Sequence, residues 1–220
     1  MELDMGMWAL YRKVVDWWNT YPPEGLDFYY QRTIEYSYHS EEVVTRVPSL
    51  KWYLRKRYEG YGYKLTIGSV YHEYLIPVID ADTESCMVSA SLWLDENNIK
   101  HTIMSSSLSG FWILVDKAGR WKDVECMMHV PGQDGHFAAF SCARKMCYIR
   151  GVMKEDYHVP VLVKESGSEL IDGFANELIK HFSSDAVRWL HRLESYKRGD
   201  MDFANPNEVD LSINLEKVLT

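Results

Sequence analysis

Apolar positions in the opening segment, Met5 to Trp18, recur at helical spacing through Trp8, Tyr11, Val14, Val15 and Trp18, and Tyr21-Pro22-Pro23 ends the run. Phe28 to Thr33 is aromatic and fits neither helix nor strand cleanly, whereas Leu50, Tyr53, Leu54 and Arg57 give Ser49 to Tyr58 a helical rhythm that stops toward Gly60 and Gly62. Leu65 to Ser69 and Tyr74 to Ile79 are β-branched and apolar, and the second run reads as a buried central strand in spite of Pro77. Met87, Val88, Ser91, Leu92 and Leu94 predict a helix over Glu84 to Glu96, closed by Asn97-Asn98 and followed by an extended Lys100 to Met104. A serine-rich turn, Ser105 to Gly110, leads into the apolar strand Phe111 to Val115, which Asp116-Lys117-Ala118-Gly119 turns. Val124 to His129, Lys145 to Val152 and Val159 to Val163 are further strand candidates; Ser168 to Phe182 and Ser184 to Tyr196 read as helices, each opened by a serine cap.

This order of elements implies an α+β fold with a central mixed β-sheet flanked by helices. The 220 residues suffice for one domain, with an N-terminal helical region at about 1–64 and C-terminal helices at about 168–198. No run approaches the roughly 18 apolar residues of a membrane helix, and no basic segment followed by an apolar one opens the chain, so a cytoplasmic protein without a membrane partner is expected. Cys86, Cys126, Cys142 and Cys147 form no C-x-x-C pair, and neither a structural zinc nor a disulfide is expected.

A net charge of −8 disfavours coating of nucleic acid by bulk attraction. The average conceals an asymmetry. Arg46, Lys51, Arg55, Lys56, Arg57 and Lys64 face one acid, Glu59, so this stretch carries +5 and the remainder −13. Interleaved with Trp52, Tyr53, Tyr58, Tyr61 and Tyr63, Lys51, Arg55, Arg57 and Lys64 are candidates for holding a single-stranded nucleic acid; a solvated amphipathic helix is the plainer alternative.

The pointed chemistry lies at Asp80-Ala81-Asp82. Side chains at i and i+2 of a strand share a side, so both carboxylates leave the strand end together. Such a pair suits Mg²⁺ or Mn²⁺ shared with a substrate's phosphates, although aspartates at a strand end also serve as helix caps. Ser106, Ser107 and Gly110 offer hydroxyl and N–H groups for a phosphate. Arg144, Arg150 and Lys154 flank a strand-like core and can hold phosphate charge. Phosphate loops, dinucleotide fingerprints, zincin motifs and hydrolase elbows are absent from the sequence.

From about residue 65 to 165 the succession of a strand ending in Asp-x-Asp, a helix, a strand, a Ser-turn-Gly-aromatic strand and an Arg-bearing strand resembles the archaeo-eukaryotic primase superfamily, including primase-polymerases of plasmids and phages. Val78-Ile79-Asp80-Ala81-Asp82 matches the first family motif, and Ser106, Gly110 and Phe111 fall on the second. The resemblance implies a primase-polymerase-like core: a metal-dependent nucleotidyltransferase that takes NTP or dNTP on single-stranded DNA in replication, with any helicase supplied by another chain. Three departures stand beside it. Trp112 occupies the family's histidine position, no acid lies between Phe137 and Ile149 where a third is expected, Asp134 being nearest, and Arg150-Gly151 lacks the family's proline. They leave two readings open: a divergent enzyme using other groups such as His101 or His136, or a catalytically inactive relative that binds nucleic acid or serves as a replication scaffold.

Overall fold

The computed structural model describes residues 25–35, 40–47, 64–153 and 158–184, together with Arg12, Asp16, Val187, Arg188, Leu190 and His191. Arg12 and Asp16 are helical, but the remainder of the expected N-terminal helix, the whole of Ser49 to Tyr58 and most of the last expected helix lie outside the described residues.

Two four-stranded sheets and a short hairpin carry the fold, and every ladder among the described residues is antiparallel. The α+β expectation therefore holds, while the single mixed sheet is replaced by two antiparallel ones. The first sheet contains β1 (Asp27–Glu35), β2 (Ser40–Arg46), β3 (Lys64–Gly68) and β9 (Tyr148–Arg150) in the order β2-β1-β3-β9. Its first two strands fall inside the region expected to be helical, a correction that the aromatic Phe28 to Thr33 run foreshadows through its β-favouring rings. The hairpin pairs β4 (Val70–Tyr71) with β5 (Tyr74–Leu75).

The second sheet joins β6 (Val78–Ala81), β7 (His101–Ser105), β8 (Phe111–Val115) and β10 (Leu162–Lys164) in the order β10-β7-β8-β6. Tyr74 to Ile79 is thus not one central strand. The chain breaks at Ile76-Pro77, and β6 emerges at the sheet edge, where a proline interrupts no interior ladder.

Helix α1 (Glu84–Glu96) follows β6, and Thr83 Oγ1 accepts the Cys86 N–H at 3.2 Å as its cap. It covers the sheet face of Ile79, Ile103 and Ile113 with Ala90 and Leu94, all buried. Val124 to His129, expected as a strand, is instead helical: α2 (Trp121–Val124) runs into a 3₁₀ turn over Glu125–His129. Met127 and Met128 are both buried there, an outcome that strand alternation would not give. Helix α3 (Gly135–Arg144) was not foreseen; α4 (Glu169–Ser183) was. The apolar stripe Ile171, Phe174, Ala175, Leu178 and Phe182 of α4 is buried against the opposite face of the second sheet, with the Phe182 and Trp112 rings 5.9 Å apart. Fully burying such side chains contributes roughly 1.5–3 kcal/mol each. Among the described residues no helix is long and apolar enough to cross a membrane.

Candidate functional site

Strands β6 and β7 both run antiparallel to β8, so they point the same way on either side of it. The end of β6, the end of β7 and the start of β8 therefore meet at one rim. Asp80 and Asp82, Ser106 and Ser107, and Gly110 arrive there from three separate segments.

Within the rim, Asp80 pairs with Trp112. The Asp80 N–H donates to Gln133 Oε1 at 2.8 Å, and its carbonyl accepts the Asp134 N–H at 2.9 Å. Both main-chain groups thus point away from β8, which makes Asp80 and Trp112 a non-hydrogen-bonded pair with closely approaching side chains. Trp112 is buried, and it pairs in turn with Met104 on β7. The Arg150 guanidinium, arriving from β9 of the other sheet, lies 5.5 Å over the Trp112 ring and donates to the Ser106 carbonyl at 3.0 Å. A carboxylate and a guanidinium accordingly share one face of the sheet beside the indole.

Asp82 is exposed, one residue before the Thr83 cap, so the capping alternative does not account for either aspartate. Gly110 closes the serine turn beside the Ala81 main chain. A Cβ there would lie 3.6 Å from the Ala81 carbonyl, 2.9 Å from Ser107 Oγ and 3.0 Å from Ser106 Oγ. The turn is tightly closed: the Ser106 N–H donates to the Gly110 carbonyl at 2.8 Å, and the Gly110 N–H donates to Ser107 Oγ at 3.0 Å. Ser106 and Ser107 are buried, and only Leu108 and Ser109 project from the tip. The serine hydroxyls consequently act first on the shape of the turn.

Asp134, the nearest substitute for a third acid, comes beside the Asp80 main chain, but its Oδ1 accepts the Phe137 N–H at 2.6 Å as the α3 cap. Among the described residues no group of three or more His, Cys, Asp or Glu is arranged to hold a metal. His136 is exposed in the first turn of α3, near this rim. His101 is at the far end of β7, buried between Ser91 Oγ (2.8 Å from Nε2) and the Ile99 carbonyl (3.0 Å from Nδ1), and burial lowers its pKa. That end of β7 is opposite the rim. His158 Nε2 lies 2.7 Å from Ser105 Oγ on the sheet's other face, a pairing no local sequence signal announces.

Arg144 does not join the rim; its guanidinium lies 4.9 Å over the Phe140 ring and 5.7 Å over that of Tyr148. Lys64 opens β3 with its backbone opposite Gln31, while Lys51, Arg55, Arg57 and Lys154 lie outside the described residues. The residues missed from the sequence are Gln133, which seals the β6 edge, and Trp112 as the floor beneath Arg150. No family model, curated protein or solved structure matches this chain.

Proposed function

We propose that the rim is the nucleotide site of a primase-polymerase-like, metal-dependent nucleotidyltransferase acting on a single-stranded template. What supports this reading is the convergence of Asp80 and Asp82, Gly110 and Arg150, from three segments, at one end of the sheet. The donor set fits Mg²⁺ or Mn²⁺, which bind through one or two carboxylates together with substrate phosphates; Asp80 and Asp82 would hold the cation. When bound, it would supply charge neutralisation for the triphosphate. Arg150, steadied on Trp112 and the Ser106 carbonyl, draws a phosphate oxygen to the same face. Gly110 keeps the turn close to the Ala81 carbonyl at the end of β6 by carrying no side chain. In the reaction a 3′-hydroxyl attacks the α-phosphorus of an NTP or dNTP, a new P–O bond forms and the bond to pyrophosphate breaks. The chain's contribution is to align the two reactants and offset their charge.

Incorporation of labelled NTPs and dNTPs on single-stranded DNA with Mg²⁺ or Mn²⁺ tests the reading. The folded wild type should extend, and an Asp80→Ala, Asp82→Ala double variant should not; a wild type inactive under all these conditions defeats it.

A second reading is favoured by two observations, the buried Trp112 at the histidine position and the use of the Asp134 carboxylate as a helix cap. On that reading the protein is a catalytically silent relative that binds nucleic acid as part of a replication assembly. Salt-dependent DNA affinity would then survive Asp80→Asn with Asp82→Asn, and the wild type would incorporate nothing.

A further inference from the structure

The first sheet has two unlike faces. Phe28, Leu65, Ile67 and Ile149 turn to the core, where Phe28 meets His181 of α4. The alternate residues occupy the outer face, and the register sets Arg46, Tyr29, Thr66 and Arg150 in one row across β2, β1, β3 and β9, with Asp27, Gly68 and Tyr148 in the next. The Tyr29 and Tyr148 rings meet edge to face at 5.2 Å across Gly68, where a Cβ would lie 2.6 Å from the Tyr29 ring. From Tyr148 the contact chain continues through the Arg144 guanidinium to Phe140, which is 46% exposed on α3.

Charge reinforces the pattern. Between residues 135 and 154 the sequence holds Arg144, Lys145, Arg150 and Lys154 and no Asp or Glu, within a chain of 32 acids. Burial raises the pKa of both Tyr29 and Tyr148, so these phenols remain uncharged at neutral pH and do not repel phosphate. Thr66 and Gly68 are buried beneath half-buried Tyr29 and Tyr148, and these rings, continued by the Arg144 guanidinium and the exposed Phe140, match unpaired bases alternating with phosphates.

We infer that a single-stranded nucleic acid lies across this outer face, with bases on Tyr29, Tyr148 and Phe140 and phosphates on Arg144 and Arg150, Arg46 being paired with Asp27 at the far end of the row. The inference deepens the proposed function, resting on it for the strand's identity as a template, and it places the contact on β1, β9 and α3 rather than on the Lys51 to Lys64 stretch. Arg150 joins this face to the rim, since its side chain belongs to the outer row while its guanidinium reaches Ser106 and Trp112.

Fluorescence anisotropy with a labelled oligo(dT) of about 20 nucleotides, between about 50 and 200 mM salt, tests it. Tyr148→Ala and Phe140→Ala should each weaken binding roughly tenfold, Tyr148→Phe should bind as the wild type does, and Arg144→Gln should reduce the slope of log affinity against log salt by about 0.7. Phe140 is exposed, so its truncation leaves the fold intact even if that of Tyr148 does not. Unchanged affinity in both Phe140→Ala and Arg144→Gln, no binding by the wild type, or equal affinity for a blunt duplex would each overturn the inference. Binding that responds to these variants in a protein that incorporates no nucleotide would support this surface and remove the catalytic reading. Incorporation that depends on Asp80 and Asp82 but ignores Phe140 and Arg144 would do the reverse.

Discussion

His181 is buried on α4, its Nε2 2.8 Å from the Gly151 carbonyl and its ring packed between Phe28 and Phe182 at 5.3 and 5.1 Å. Desolvation lowers its pKa from 6.5 to about 4, so it stays neutral in the folded chain while the unfolded chain's imidazole takes up a proton near pH 6.5. Between those values the unfolded state binds more protons, and stability falls as the pH drops. The full difference corresponds to about 3 kcal/mol, of which ~2 kcal/mol is lost between pH 8 and pH 5. Urea unfolding at the two pH values reads this directly: at an m-value of about 2 kcal/mol/M the midpoint should fall by roughly 1 M. His181→Gln keeps an N–H donor for the Gly151 carbonyl and removes the titration, so its pH slope should be flatter by that amount, whatever its stability at pH 8. Identical slopes for the variant and the wild type would refute the assignment, because other acid-sensitive groups, His101 included, are common to both.

Three further substitutions follow from close approaches. Gly132 has φ +84° and a Cβ there would meet the Cys86 carbonyl at 2.1 Å, so Gly132→Ala should cost about 3 kcal/mol or more in urea unfolding; wild-type stability would show that the α1 contact is not as close as described. Gly110→Ala should cost only about 1 kcal/mol, since serine hydroxyls can rotate, yet reduce nucleotide incorporation at least tenfold by moving the turn from the end of β6; unchanged incorporation would detach Gly110 from the site. Burial raises the pKa of Asp172, but hydrogen bonds from Thr102, Ser166 and Gly167 outweigh it and leave the pKa lowered. Its stabilisation is therefore present above the unfolded carboxyl's pKa and lost as pH falls through the lower folded one; Asp172→Asn should cost about 1 kcal/mol at pH 7, with the deficit vanishing in strong acid.

Local signals predicted what local physics decides. The helical spacing of Met87, Val88, Ser91, Leu92 and Leu94 predicted α1 over its observed span, although Val88 and Leu92 are exposed, and the apolar Phe111 to Val115 predicted β8. Helix α3 was not foreseen, although Asp134 three positions before Phe137 is a cap signal. The Glu125 to His129 run was too short for periodicity to separate strand from helix. The strand that carries Asp80 was legible from the apolar run before it, with Asp82 just past its end. Neither the placement of Arg150 over Trp112 nor that of Gln133 along β6 was, because both depend on how two sheets and a loop pack.

Helix α4 decides that packing. Its Phe182 ring lies against Trp112 of the second sheet, while its His181 holds the Gly151 carbonyl at the end of β9 in the first. Gly151 leaves no slack, since a Cβ there would meet Leu65 Cγ at 2.8 Å. One helical turn thus fixes β9 relative to β8, and with it the position of Arg150 on the indole. On the proposed reading a strand leaving the aromatic face meets Arg150 before it reaches Asp80 and Asp82, so the spacing of template from nucleotide is set by α4, which itself contributes no residue to the rim.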